Sequence, residues 1–270
     1  MSIERTDLLQ ILEIDEANLK GILADFRQNG ILKFFERMLA LLDSLSPLAQ
    51  EHVISSSTSP FTRSADGVVS IPWELRLRMH MLQSAWNQYA FAISHLLRAQ
   101  ASEVHGHVRR AIEGAGIAYL SKSEPDIAEL YGSGDKKLRN RTQTSQILPQ
   151  THPLTADLNR LVREASGQVH NNFRSFAKRL EEEIQDEGAK AHYKLKSHVY
   201  EGDDSTKHFW EVSHFILESG YYVARLLAES FNLPKGDWHK ELEDFKMDLE
   251  RYNVWLTNII EKNEQEKVPG

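Results

Sequence analysis

The chain has 270 residues, of which 41% are hydrophobic and 26% charged, so it can bury a sizeable core, which argues against global disorder. It contains no cysteine, which excludes disulfides, thiolate metal sites and cysteine nucleophiles. The net charge of -7 argues against non-specific nucleic-acid binding by the chain as a whole.

Apolar residues recur at three- and four-residue spacing almost throughout, which predicts an all-α protein. A first short helix is expected at residues 4–12, and a second from about Asp15 to Leu45 with a break at Gly30. The residue before a proline avoids the helical region, so Pro47 predicts a helix end. Together these elements form a predicted N-terminal helical segment, residues 1–53.

Residues 54–71 are rich in Ser, Thr, Pro and Gly, which predicts a linker or loop. The main helical bundle is expected at residues 72–262, followed by a disordered tail at 263–270. Its central helices are predicted to begin near residues 73, 101, 153, 206 and 237.

Three shorter stretches complete the predicted bundle. A short helix is expected from Ser123 to Leu130, because a capping serine, an early proline and an acidic first turn occur together. Residues 132–152 predict an irregular connection. Residues 188–204 predict a loop, within which Tyr193 and Leu195 indicate some extended structure.

No apolar segment has the length of a signal-peptide core or of a membrane-spanning helix, because charged residues interrupt every candidate. The sequence therefore predicts a cytoplasmic protein that neither crosses a membrane nor enters the secretory route.

The charge is unevenly distributed. Residues 136–179 contain nine basic and two acidic residues, a net +7, so the rest of the chain carries -14. A basic window of this kind is either a solvated helix face with a flexible loop or a surface for a polyanion.

Within that window, the helix predicted at residues 153–184 has two distinct faces. Its core face consists of Leu158, Leu161, Val162, Ala165, Val169, Phe173, Phe176 and Leu180. Beside that face lie Asn159, Arg163, Ser166, His170 and Arg174. Arg163 and His170 are seven residues apart, which is two helical turns, so they should project from the same side.

This Arg–His spacing resembles the Rx4–6H motif of the HEPN superfamily (higher eukaryotes and prokaryotes nucleotide-binding domains). The context is also similar: a helix HVRRAIEGAGIAYL, a short acidic helix EPDIAELY, and then a helix carrying SGQVHNN. The resemblance covers about residues 75–232. It departs from the family at Glu164, where a small polar residue, often Asn, commonly follows the arginine; an acid there would weaken phosphate attraction.

The resemblance implies a dimeric helical bundle that binds or cleaves RNA without a metal or other cofactor. Arg163 would then hold the phosphate and His170 would transfer protons, as the two catalytic residues. Asn171 or Ser166 would position the substrate. The remaining substrate-binding candidates are Arg174, Arg109 and Arg110.

Structural alternatives stay open for these residues. His170 could be a boundary residue bonded to a neighbouring group, with Arg163 in a salt bridge. Arg109 or Arg110 could form a half-buried pair with Glu113 that links two helices. In that case the protein would be a non-enzymatic helical scaffold or a dimeric interaction module.

Two further histidine patterns favour structural roles. Glu211-x-x-His214, with Glu218 one turn later, matches a di-iron ligand spacing, but the second copy that such a site needs is absent. The pattern therefore predicts polar pairs on an exposed helix face. His105 and His107 are two residues apart, so they should point to opposite sides of their helix.

Overall fold

The computed structural model describes residues 3–5, 8–55, 62–63, 66, 69–124, 126–133, 148, 151–170, 180–186, 191–197 and 206–266. These residues form an all-α helical bundle that carries a few short strands. The described helices are α1 (Leu8–Gln28), α2 (Ile31–Ser55), α3 (Trp73–Leu97), α4 (Ala101–Leu120), α5 (Asp126–Ser133), α6 (Thr155–His170), α7 (Thr206–Ser230) and α8 (Asp237–Glu266).

The five central helices begin within two residues of their predicted starts, which confirms the periodicity argument for them. Helix α3 and helix α4 form a hairpin through residues 98–100, where Ala99 has a φ of 57°. The break predicted at Gly30 is confirmed, since Gly30 adopts a φ of 77° between α1 and α2, a conformation that glycine tolerates best.

Helix α7 lies at the centre of the bundle. Its buried residues lie on every side of the helix, which is the pattern of a helix enclosed by neighbours. They are Val212, Phe215, Ile216, Leu217, Tyr221, Tyr222, Val223, Ala224, Leu226, Leu227 and Ala228. Helices α2, α3, α4, α6 and α8 all contact it.

The buried serine hydroxyls on α7 are satisfied locally. The hydroxyls of Ser213, Ser219 and Ser230 donate to carbonyls one turn earlier in the same helix. The buried hydroxyl of Tyr89 on α3 donates to the Ser219 hydroxyl oxygen at 3.2 Å. These bonds let small polar residues occupy a buried helix without leaving unpaired groups.

Helix α2 belongs to the same core as the central helices. Phe35, Met38, Leu42 and Leu45 are almost completely buried within one continuous apolar cluster. The indole nitrogen of Trp238, at the start of α8, donates to the Leu41 carbonyl at 3.1 Å. The sequence-based division into a segment at 1–53 and a bundle at 72–262 stays a prediction, but α2 and the bundle share this core.

Two predicted helix ends near the N-terminus are wrong. Helix α1 runs without interruption from Leu8 to Gln28, and Asp15 within it accepts a hydrogen bond from Arg98 at 2.9 Å. Helix α2 continues through Pro47 to Ser55. Burial of Leu45 and Ala49 on either side of the proline outweighs the helix bond that proline removes.

The helix predicted at residues 153–184 is also wrong in its last part. The described helix ends at His170, and Leu180–Asp186 forms strand β4, antiparallel to β5 at Ala191–Ser197. The register sets Glu181 opposite Lys196 and Glu183 opposite Lys194. The extended structure indicated around Tyr193 and Leu195 is thereby confirmed.

Three further strands are short. Strand β1 (Ile3–Arg5) pairs in parallel with β5, so Glu4 and Arg5 form a strand although a first helix was expected at residues 4–12, whereas Leu8 to Leu12 are helical as expected. Strands β2 (Thr62–Arg63) and β3 (Val69–Ser70) pair within the predicted 54–71 linker. In the described part of the chain, no helix has an apolar stretch that could cross a bilayer.

Candidate functional site

The start of helix α6 is fixed by His152. Its Nδ1 accepts a hydrogen bond from the Leu154 amide at 3.2 Å, and its Nε2 therefore donates to the Glu229 carboxylate on α7 at 2.9 Å. The imidazole also lies edge-on to Tyr119 of α4. These contacts join the first turn of α6 to two central helices.

The predicted core face of α6 is confirmed for its described part. Leu158, Leu161, Val162 and Ala165 are all buried. The other four predicted core residues, from Val169 to Leu180, have side chains outside the described part of the chain. The opposite side of α6 is therefore the one that faces solvent.

Arg163 lies on that solvent side and is exposed. Its Nε donates to the Asn159 carbonyl one turn earlier, at 3.2 Å. Among the described residues, no acidic side chain forms an ion pair with Arg163. Its exposed guanidinium has two terminal nitrogens that could bind an anion with two donors.

Glu164, the departure from the HEPN pattern, points to the α7 side of α6 instead. Its carboxylate lies 3.8 Å from Arg160, which in turn forms a 2.5 Å ion pair with Glu218 of α7. Burial raises the pKa of Glu164, with Arg160 acting in the opposite direction. Consecutive helical residues diverge by about 100°, so Glu164 joins a cluster from which Arg163 is turned away.

His214 of α7 belongs to the same cluster. Its ring lies 6.1 Å from that of Trp210, and its Nδ1 is buried with no hydrogen-bond partner among the described atoms. Burial lowers the pKa of His214, which Glu218 partly offsets. The prediction of an exposed polar face is therefore wrong for His214 and Glu218, although Glu211 is exposed. The described residues include no group of three or more His, Asp or Glu side chains placed to hold a metal ion.

The lowered pKa of His214 predicts a pH effect on stability. The unfolded chain takes up a proton at this histidine near pH 6.5, whereas the folded chain does so only at lower pH. As the pH falls below about 6.5, protonation therefore stabilises the unfolded state, and the free energy of unfolding decreases. We expect His214→Gln to flatten the decrease in unfolding free energy between about pH 6.5 and pH 5, measured by urea denaturation at several pH values. Parallel profiles for the wild type and the variant would show that His214 titrates equally in both states.

Arg109 and Glu113 form a half-buried ion pair at 2.8 Å, but within α4 rather than between helices. The expected link between two helices is wrong for this pair, because residues four apart on one helix lie side by side. Arg110 is exposed and points elsewhere, close enough to His107 for its charge to lower the pKa of that imidazole. Arg110 is thus the freer of the two arginines.

The two histidines of α4 point to different helices, as predicted. His105 is buried and stacks on Phe215 of α7, with ring centroids 4.9 Å apart. His107 contacts Phe91 and His95 of α3, at 5.6 and 5.1 Å. No spacing in the sequence indicates this second set of rings, because it joins residues of two helices.

The other predicted site residues are only partly described. Ser166 is half-buried on α6. The backbone of α6 continues to His170, so the Cα atoms of Arg163 and His170 lie two turns apart on one side of the helix. The side chain of His170, and the whole of Asn171 and Arg174, lie outside the described residues. Searches of protein-family models, curated proteins and solved structures found no match to this chain.

Proposed function

We propose that this chain is a HEPN-like cytoplasmic protein that acts on RNA, as a metal-independent endoribonuclease that works as a homodimer. Arg163 binds the scissile phosphate and His170 transfers protons. The proposal is supported chiefly by one observation. Arg163 is exposed on the solvent side of α6 without an acidic partner in the described part of the chain, and α6 continues to His170.

The position of Glu164 supports the proposal further. A carboxylate beside the phosphate-binding arginine would reduce its attraction for an anion. Glu164 instead pairs with Arg160, which is itself held by Glu218 on α7. The acidic residue that departs from the family pattern is therefore engaged away from Arg163.

The proposed reaction is an internal transfer of the phosphoryl group. The ribose 2′-oxygen attacks the adjacent phosphorus and loses its proton to a base, while the bond from phosphorus to the 5′-oxygen breaks and that oxygen gains a proton. A neutral imidazole can accept the first proton, and an imidazolium can supply the second at neutral pH. The guanidinium of Arg163 stabilises the charge that develops on the phosphate oxygens. The products carry a 2′,3′-cyclic phosphate and a 5′-hydroxyl.

A second function, as a helical interaction module, is favoured by the surface of α8. Met247, Val254 and Trp255 are 46, 64 and 48% exposed. Met247 and Val254 are two helical turns apart, so they project from one side of α8, and Trp255 lies about 100° around the helix from Val254. Exposed apolar residues grouped in this way are typical of a protein-binding surface.

The first test is cleavage of single-stranded RNA in excess EDTA by the wild type and by Arg163→Ala. We expect the wild type to produce cyclic-phosphate ends. The variant should cut about 100-fold more slowly or worse, the loss typical when one donor to a developing oxyanion is removed. It should also bind RNA more weakly, since a phosphate contact is lost.

Arg251→Ala is the matched control, because Arg251 is an exposed arginine of α8 whose nearest partner, Asp248, lies at 3.5 Å. This variant removes the same charge and should cut at the wild-type rate. Equal losses in both variants would show that net charge, rather than Arg163, governs cleavage. A wild type that neither binds nor cuts RNA would leave the interaction module as the function.

A further inference from the structure

The solvent side of α3 is unusual in a chain with a net charge of -7. Residues 75–102 contain no acidic residue, although Glu74 and Glu103 flank them. Of their three arginines, Arg98 pairs with Asp15 and Arg78 donates to the Ser230 carbonyl, which leaves Arg76 exposed. The exposed positions on this side follow helical spacing and are mostly polar or aromatic: Trp73, Arg76, His80, Asn87 and Phe91. A polyanion can therefore approach this side of the helix without meeting a run of carboxylates.

Phe91 forms the exposed end of a row of rings between α3 and α4. Its side chain is 54% exposed, and its ring centroid lies 5.6 Å from that of His107. His107 stacks in turn on His95, with centroids 5.1 Å apart and planes inclined by 18°. Each ring supports the next, so Phe91 is backed on one side and open to solvent on the other.

Side-chain amides hold both imidazoles in place. The Nδ1 of His107 lies 2.8 Å from the Gln88 oxygen, and the Nδ1 of His95 lies 2.7 Å from the Gln100 oxygen. With the amide oxygens as acceptors, both Nδ1 atoms carry the proton. Burial lowers the pKa of His107, as do the nearby charges of His95 and Arg110, against an opposing effect of Glu103. The row is therefore an aromatic surface that is already formed before any ligand binds.

Cations lie beside the exposed rings. Arg110 of α4 is exposed, acts electrostatically on His107, and forms no ion pair with a described residue. At the other end of α3, the Arg76 guanidinium lies 5.4 Å from the ring centre of Trp73, which is 60% exposed. Trp73 and Phe91 are eighteen residues apart, which is about 27 Å along a helix.

We infer that the solvent side of α3 binds an unpaired segment of RNA, with Phe91 stacking on one base and Arg110 contacting a neighbouring phosphate. Trp73 and Arg76 provide a second stacking and phosphate-binding position. This inference rests on the proposed action on RNA and adds a base-binding surface on α3, apart from Arg163 and His170. Bases can reach an aromatic ring in this way only when they are unpaired.

The chemistry of the surface favours RNA over a protein partner. Single aromatic rings separated by amides, histidines and arginines are typical of single-strand binding, in which every base offers a π-face. A protein interface would instead place the apolar residues in one contiguous central patch. On α3 the two exposed aromatic residues lie far apart.

The test is binding of a fluorescent 2′-O-methyl oligouridine to the full chain, measured by anisotropy. This RNA analogue has no free 2′-hydroxyl, so cleavage cannot interfere. We expect Phe91→Ala to raise the dissociation constant about fivefold or more, the loss typical of one base stack. Met247→Ala, a matched change at an exposed apolar residue of α8, should leave it unchanged. For Arg110→Ala, the negative slope of log affinity against log salt concentration should become shallower by about 0.7, the value for one phosphate contact.

The outcomes separate this inference from the proposed cleavage. If Phe91→Ala binds the RNA analogue as tightly as the wild type, the α3 surface does not bind RNA and this inference is overturned. Cleavage that depends on Arg163 would still support the proposed nuclease. If Phe91→Ala binds RNA more weakly but the wild type cuts no RNA, the α3 surface binds RNA as inferred, and the proposed nuclease activity is contradicted. A change from dimer to monomer in Phe91→Ala, measured by light scattering with unaltered RNA affinity, would make α3 an interface between two copies and overturn the inference. Absence of RNA binding by the wild type would overturn both proposals.

Discussion

The His170→Ala variant is expected to cut RNA at least about 100-fold more slowly than the wild type while binding it with similar affinity. General acid–base catalysis by one side chain typically contributes about 10²- to 10⁴-fold. An alanine cannot transfer protons, but the phosphate contact of Arg163 remains. Single-turnover cleavage and anisotropy on the same RNA measure the two effects separately. The Arg163→Ala variant should differ from His170→Ala in losing both cleavage rate and RNA affinity.

Thermal unfolding provides the control for His170→Ala. If the imidazole has only a structural role, the variant should unfold at a lower temperature, and its cleavage rate should fall in proportion to its folded fraction. If it acts in catalysis, the variant should fold normally below its melting temperature and still fail to cut. Cleavage at the wild-type rate by a folded His170→Ala protein would remove His170 from the mechanism.

The Gly220→Ala substitution is expected to destabilise the fold by about 1–3 kcal/mol, the usual cost of overpacking a tight core. Helices α2 and α7 approach closely at Gly220. An added methyl group there would overlap the sulfur of Met38 and lie 2.8 Å from its Cγ. Met38 is only 1% exposed, so its side chain cannot move out into solvent to make room and would have to repack within the core. Urea denaturation followed by circular dichroism would measure the change.

Two further variants make this prediction specific. Gly106 also lies in a helix, but a methyl group added there meets nothing within 4 Å, so Gly106→Ala should stabilise the protein by about 0.5–1 kcal/mol. Met38→Ala removes the clashing atoms, so combining it with Gly220→Ala should cost less than the two single changes added together. Additive costs in the double variant would show that the two residues do not meet.

Helical periodicity predicted the central bundle well because α3, α4, α6, α7 and α8 bury strongly patterned faces. It failed where a tertiary contact overrides a local signal. Pro47 should end a helix, but the buried residues around it hold α2 together. Asp15 looks like the start of a new helix, but its carboxylate pairs with Arg98, which is far away in the sequence.

The candidate site was predictable only as far as one helix determines it. The core face of α6 and the outward direction of Arg163 follow from the spacing of residues within the helix. The pair of Arg160 with Glu218, which draws Glu164 away from Arg163, depends on how α6 meets α7. The stack of His95 on His107 likewise depends on how α3 meets α4. No spacing rule within a single helix contains that information.

The central position of α7 has a consequence for synthesis of the chain. Residues 8–170, which contain α1 to α6, leave the ribosome before Thr206–Ser230 is made. The apolar sides of α2, α3, α4 and α6 that finally cover α7 therefore stay uncovered until most of the protein has been translated. A nascent chain in this condition is a substrate for chaperones that bind apolar helices. Synthesis that stops before residue 206 would leave a product without its innermost helix.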